Sequence, residues 1–381
     1  MPSHGLLRIA SVLLLFIGIA FTANGIMGAW RGSDSDYRAR AVEYSSYAEG
    51  VYPNRRISIP GRERAPVHSV YLPYAFPMMK VFFWMDHAAV QRITIQSLSL
   101  AAFIALAWQS RAAFAAHGIA LAPWQALALP LAFSGNSTAF SQGQFTIPCM
   151  GLLALQVMLQ QKNKPAAAGL CWALAMIKPH LALPFAMLFP LQRQWRGLVW
   201  GGLLLAFLSA WALWRTGVSW SAFLSAGPAL EKMSFVNTPY AAGLWIAWTG
   251  TPPRTASAIG IGISLLATAA AGSPWLRARL PLMPAAGLSG LLAFVLFYHR
   301  HYDNLLLFPL LAVTLAHCLA RPRVPALAIT MAFAATALLP ASLMLRNEIL
   351  TALTLLTPIA AGSWLWTGAR RKEWFRHPQA A

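Results

Sequence analysis

The sequence predicts an all-α protein that crosses a membrane many times, and three observations predict it. Of its 381 residues 58% are hydrophobic and only 10% charged, against roughly 25% charged in a soluble domain. The apolar residues gather in runs of about 20, the length a spanning helix needs. The basic residues sit in short clusters between those runs, the pattern that orients membrane helices. The composition excludes a water-soluble globular enzyme. It also excludes a disordered chain, which needs low hydrophobicity. The net charge of +19, from 29 Lys and Arg against 10 Asp and Glu, would suggest nucleic acid in a soluble chain. With no zinc-finger spacing and no RNA-recognition motif, no nucleic-acid partner is expected. Membrane topology and membrane lipids account for the charge instead.

Taken in order, spans are expected at residues 7–29, 88–108, 117–135, 145–160, 197–215, 254–272, 280–297, 304–320, 324–344 and 349–367. The first run, after Arg8, looks like a signal peptide, but it continues to about Trp30 and is read as a retained span. The stretch 165–192 is interrupted by Lys178-Pro179-His180 and fits a pair of short helices meeting near Pro179. Lys162 and Lys164 precede it and Arg193 and Arg196 follow, so it must leave the cytoplasm and return. The total is about twelve membrane segments, in a range of about 10–13, with both termini cytoplasmic. Residues 31–87 and 217–253 then form long outer loops within a single integral domain over 1–381, and short amphipathic helices are expected in the first loop. Cys149, Cys171 and Cys318 lie in apolar stretches without metal or disulfide spacing and read as small hydrophobes.

Under this topology every carboxylate except Glu373 falls on the outer face, which places any chemistry there. Asp34 and Asp36 follow the first span directly. Either could act as a general base on a hydroxyl. Together they could hold a divalent cation, or simply form a turn or cap. Arg38 and its neighbouring arginines suit a phosphate or lipid headgroups. Gln142 and Gln144 flank Gly143 in a polar break that also holds the glycosylation triplet Asn136-Ser137-Thr138. Lys178 and His180 sit mid-hydrophobic beside a helix-breaking proline, which suggests a cavity. His299, Arg300, His301, Tyr302 and Asp303 crowd a short loop that could balance charge on a departing phosphate.

These residues carry a resemblance. The run "DYRARAVEYSSYAEGVYP" with "VYLPYAFPMM", the run from "GQFTIPCM" to "AMIKPHLALP", and "HRHYDNLLLFPLL" resemble the polytopic GT-C glycosyltransferases, and within them glycosyltransferase family 87. The order fits over about half the chain. A Leu-Pro-Tyr replaces the family's Tyr-Pro-Pro, and the short spacing from Asp34 to Tyr37 leaves either Asp34 or Asp36 as the aligned acid.

The resemblance implies an inverting enzyme of the inner (plasma) membrane, working on its extracytoplasmic face. It would move mannose or another hexose or pentose from a polyprenyl-phosphate carrier to a hydroxyl of a lipid or glycan acceptor. Asp34 or Asp36 would be the base. Lys178, His180, His299, Arg300, His301 and Arg38 would meet the donor phosphate, and Tyr37, Gln142, Gln144, Tyr302 and Asp303 would contact substrate. No cofactor is expected, with a divalent cation at Asp34 and Asp36 as the alternative. A ligase for lipid-linked glycans and a transporter or flippase share the polytopic form, although a transporter would be expected to show related halves. The topology is checked by thiol labelling of Lys162→Cys and Arg300→Cys in intact cells, which should react from opposite sides.

Overall fold

The computed structural model describes residues 4–54, 56–57, 67, 69–226, 262, 266, 280–297, 300–340 and 348–370. Among these the regular elements are all helical. The chain is an apolar, helical membrane protein. α1 (His4–Trp30) ends at a turn through Gly32, whose φ of +93° favours glycine. The first loop contains α2 (Ser35–Ala48) and α3 (Ala75–Met79). α4 (Ala88–Ala115), α5 (Pro123–Leu131), α6 (Gly135–Gln142) and α7 (Thr146–Gln161) follow. Then come α8 (Pro165–Ala175), α9 (Pro179–Ala182), a 3-10 turn (Leu183–Met187) and α10 (Leu188–Leu191). After α11 (Trp195–Thr216) and α12 (Trp220–Ala226) the description resumes at α13 (Leu282–Leu296). A 3-10 turn (His301–Leu307), α14 (Phe308–Ala320), α15 (Val324–Leu338) and α16 (Glu348–Arg370) complete it.

Among the described residues four helical runs are long and apolar enough to cross a membrane: Gly5–Trp30, Ala88–Ala115, Trp195–Thr216 and His301–Ala320. Several other apolar stretches are shorter. The expected span at 117–135 starts only at Pro123 and ends at Leu131, one residue after Pro130. Its last carbonyls are taken by the Asn136 amide, which donates to Pro130 at 2.8 Å and Leu131 at 3.1 Å. Asn136 is therefore buried and serves as a helix end, not as a glycan acceptor. The expected span at 254–272 and most of the loop 217–253 lie outside the described residues.

The stretch 165–192 does break near Pro179. A proline without an N–H disfavours helix for the residue before it, and Lys178 takes φ −116° and ψ 83°. Irregular backbone at membrane depth needs partners for its carbonyls. Here Trp172 Nε1 donates to Ala182 at 3.0 Å and Gln156 Nε2 to Phe185 at 3.0 Å.

The outer surface of the bundle is apolar. Leu13 and Phe16 of α1, Ile104 of α4, and Val199, Leu203 and Phe207 of α11 are exposed, a surface suited to lipid and unsuited to water. Trp195 and Trp200 near one end of α11, and Trp211 and Trp214 near the other, are exposed as well. They lie about 28 Å apart along the axis at their extremes, close to the thickness of a bilayer's hydrocarbon core, about 30 Å, as interfacial tryptophans should. The two ends of α11 have different neighbours. Gln194, just before it, donates to the Gln160 carbonyl at 2.9 Å, beside the Lys162 cluster. Arg215, in its last turn, donates to the Ala48 carbonyl at the end of α2. The first basic cluster and α2 are thus separated by a 22-residue helix, about 33 Å.

Inside lipid, helices associate through close packing of small residues rather than by expulsion of water. α8 and α11 pack through Gly169, Gly197 and Gly201. A Cβ on Gly169 would stand 1.9 Å from the Gly197 carbonyl oxygen and 2.9 Å from its Cα, both backbone atoms. α1 packs on α5 and α6 in the same way through Gly18, Gly25 and Gly28. Gly169→Ala should therefore lower stability by about 1–3 kcal/mol, the range for overpacking. Gly202→Ala, whose Cβ meets nothing within 4 Å, should be neutral or slightly stabilising. Thermal unfolding of both variants in detergent tests the pair.

Candidate active site

The site is built at three interruptions of helical structure. The first is the join of α6 to α7. α6 ends in a Schellman motif, in which Gln144 N–H donates to the Ala139 carbonyl at 2.8 Å and Gly143 N–H to Phe140 at 3.2 Å. Gly143 is required twice: its φ is +64°, and a Cβ there would stand 2.7 Å from the Cβ of Tyr37. This turn presents Gln144 to α2, and its amide donates to Asp36 Oδ2. The second interruption is the α8–α9 break at Lys178. The third is Arg300 and the 3-10 turn that follows it, where Asp303 Oδ2 accepts the Arg300 main-chain N–H at 3.1 Å.

These interruptions close around a cavity of about 340 Å³ lined by Asp36, Arg40 and Glu43 of α2, together with Tyr71, Gln144, Lys178, His180, Arg300, Tyr302 and Asp303. Lys178 Nζ donates to Asp303 Oδ1 at 2.8 Å and to Thr146 Oγ1 at 2.7 Å, and it lies 4.8 Å from the centre of the Tyr302 ring. His180 Nε2 is 3.7 Å from Asp303 Oδ2. On the α2 side, Glu43 Oε2 accepts from Arg40 Nη1 at 2.8 Å and from Ser69 Oγ at 2.9 Å. The Arg40 guanidinium stands 4.9 Å above the Tyr71 ring. A carboxylate-bearing wall thus faces a basic wall whose lysine is already paired.

Of the residues expected at the site, Asp36, Gln144, Lys178, His180, Arg300, Tyr302 and Asp303 line this one cavity. Others are placed elsewhere. Asp34 is buried and held by two arginines, Arg92 Nε at 2.6 Å and Arg38 Nε at 3.0 Å, so it fastens α2 to α4. Arg38 is committed to that pair and to the Gly32 carbonyl. The two acids therefore face different partners. Among the described residues no cluster of three or more His, Cys, Asp or Glu is placed to hold a metal. Tyr37 is buried against Phe83, and its hydroxyl donates to Gln91 Oε1 at 3.2 Å. Burial pushes this phenol up, so it stays a neutral donor. Gln142 accepts from Ser35 Oγ at 2.9 Å, and His301 Nε2 lies 3.3 Å from Ser134 Oγ. His299 lies outside the described residues.

An arginine of the first loop was expected at the phosphate, and Arg40 is the one that lines the cavity; three participants were not expected from the sequence: Glu43, Tyr71 and Thr146. For Glu43 the signal is helical spacing, since positions 36, 40 and 43 share one face of α2 once it is known to be a helix. Thr146 and Tyr71 have no local signature.

The sequence profile of Glycosyltransferase family 87 matches residues 70–339, well over half of the chain. The chain belongs to glycosyltransferase family 87. No curated protein and no solved structure matches it. Most of the cavity of this glycosyltransferase, from Tyr71 to Asp303, falls within the matched residues, and α2 with Asp36 precedes them. Gly143→Ala should be destabilised by about 1–2 kcal/mol from its left-handed backbone alone. By displacing Tyr37 it should also move Asp36 and lower sugar transfer. Thermal unfolding and transfer rate, measured on the same reconstituted sample, check both effects.

Proposed function

We propose that this glycosyltransferase moves a single sugar from a polyprenyl-phosphate carrier to a hydroxyl of a lipid or glycan acceptor, with inversion at the anomeric carbon. The observation that carries the reading is one cavity shared by Asp36, Lys178, His180 and Arg300. An acid able to accept a proton and a basic wall able to meet a phosphate are the two chemical requirements of this transfer.

In the proposed reaction the acceptor hydroxyl attacks the anomeric carbon from the side opposite the phosphate. Its proton passes to Asp36, whose carboxylate is aimed by the Gln144 amide. The new bond joins the acceptor oxygen to the anomeric carbon. The bond from that carbon to the phosphate oxygen breaks, and its electron pair stays with the phosphate, which gains one negative charge. Arg300, Lys178 and His180 line the wall that would oppose that charge, and Lys178 does so while buried, where such interactions are strongest. The burial of Asp34 against Arg92 and Arg38 favours Asp36 as the base. The sugar, whether mannose or another hexose or pentose, would stand between the two walls, and the prenyl chain would stay in lipid.

The same reading places the enzyme in the inner (plasma) membrane, with both termini cytoplasmic and the cavity on the extracytoplasmic side. The length of α11 between the Lys162 cluster and α2 supports it.

The test is transfer by purified protein in lipid nanodiscs, supplied with polyprenyl-phosphate sugars and read by mass spectrometry. Asp36→Asn should lose roughly 10²–10⁴-fold in rate. Asp34→Asn should lose thermal stability while each folded molecule keeps its turnover. Near-normal transfer by Asp36→Asn would reject the assignment of the base, and a requirement for a diphosphate-linked donor would point to a glycan ligase.

A further inference from the structure

Lys178 and Asp303 reach the cavity from segments 125 residues apart. Both are buried, at 4% and 1% exposure. A buried ammonium without a counter-charge is strongly disfavoured, so the pair neutralises what either residue alone would leave as an uncompensated charge. The carboxylate does more than neutralise. Its Oδ1 also accepts from the Thr146 hydroxyl at 2.5 Å, and that hydroxyl lies 2.7 Å from Lys178 Nζ. Its Oδ2 accepts from the Arg300 main chain at 3.1 Å and faces His180 Nε2 at 3.7 Å. One side chain therefore meets the side chains of Lys178 and His180 and the main chain of Arg300.

We propose that Asp303 is the positioning residue of the donor-phosphate subsite: it sets where Lys178 and His180 meet the phosphate and holds the main chain at Arg300, with Thr146 as its fourth partner. This rests on the reading of a lipid phosphate as donor. Asp303 itself is a poor phosphate ligand, since it carries the same sign of charge. Of the three N–H bonds of the Lys178 ammonium, one goes to Asp303 and one to Thr146, leaving one for the phosphate. The incoming phosphate meets groups that are already ordered and spends no binding energy on arranging them. Because Lys178 keeps Asp303 as counter-charge, the more negative phosphate product is not trapped by a surplus of cations and can leave.

The experiment is a binding titration of nanodisc-embedded protein, followed by intrinsic tryptophan fluorescence. The probes are a short-chain polyprenyl phosphate and the polyprenol of the same chain length. Wild-type protein should prefer the phosphate. Asp303→Asn should weaken phosphate binding on the order of ten- to a hundred-fold, as expected for lost bonds to charged groups, and leave polyprenol binding unchanged. Thr146→Val should move the same way by less. Asp303→Asn combined with Lys178→Met should lose less than the product of the two single losses, because both act in part through the Lys178 cation. If Asp303→Asn does not fold, Thr146→Val and the double variant, which removes both buried charges, decide the matter. Wild-type protein that binds phosphate and polyprenol equally would overturn the donor reading itself. Wild-type preference for phosphate that persists in Asp303→Asn, or in Thr146→Val when Asp303→Asn does not fold, would overturn the positioning role and leave the donor reading intact. Equal loss of both ligands would mark a general structural defect and overturn it as well.

Discussion

A lysine buried among apolar helices has to find an anion, and much of this structure follows from how Lys178 does so. Pro179 stops the helix before it and turns the residue out of the α8 axis. Asp303 answers from the 3-10 turn before α14, at 2.8 Å. The ion pair fixes the distance between two segments that share no local sequence relationship, and Thr146 at the start of α7 completes the join. Three interruptions of helical structure are thereby held together at one level of the bundle. Such a pair contributes little net stability against an apolar alternative, but removal of one partner leaves a buried charge. It is better understood as a device that specifies geometry.

The rest of the bundle makes that geometry affordable in lipid. Broken helices expose carbonyls that water cannot reach, and side-chain donors take them up: Asn136 at the end of α5, Trp172 and Gln156 along residues 182–185. Close approach of α8 to α11 through Gly169 and Gly197 seats the helix that leads into Lys178. α2 is fastened at its start by Asp34 to Arg92 of α4 and touched at its end by Arg215 of α11. A helix fixed at both ends presents Asp36, Arg40 and Glu43 to the cavity at a set height. Two acids separated by one residue take different tasks because Asp34 precedes α2, with non-helical backbone, while Asp36 lies in its first turn. Asp34 turns towards α4 and is neutralised, and Asp36 turns towards Gln144 and the cavity.

The membrane class, the apolar runs and the break at Pro179 were legible in the sequence, because each is a local property: hydropathy, helix length and the missing N–H of proline. The functional stretches were legible as residue types in a familiar order, from Gly143-Gln144 through Lys178-Pro179 to Tyr302-Asp303. Which residues of each stretch meet was decided only by the tertiary structure. Asp34 and Asp36 are equivalent as a string, as are Arg300 and His301 beside it, until packing turns one of each to the cavity and the other to Arg92 or Ser134. Gln144 and Asp303 read as polar groups for a substrate; both line the cavity, and only the fold shows that Gln144 also holds Asp36 and Asp303 also holds Lys178. The physical reason is range. Hydropathy and backbone preference act within a few residues, whereas the partner of a buried charge is whatever the folded chain brings within about 3 Å, and here it lies 125 residues away.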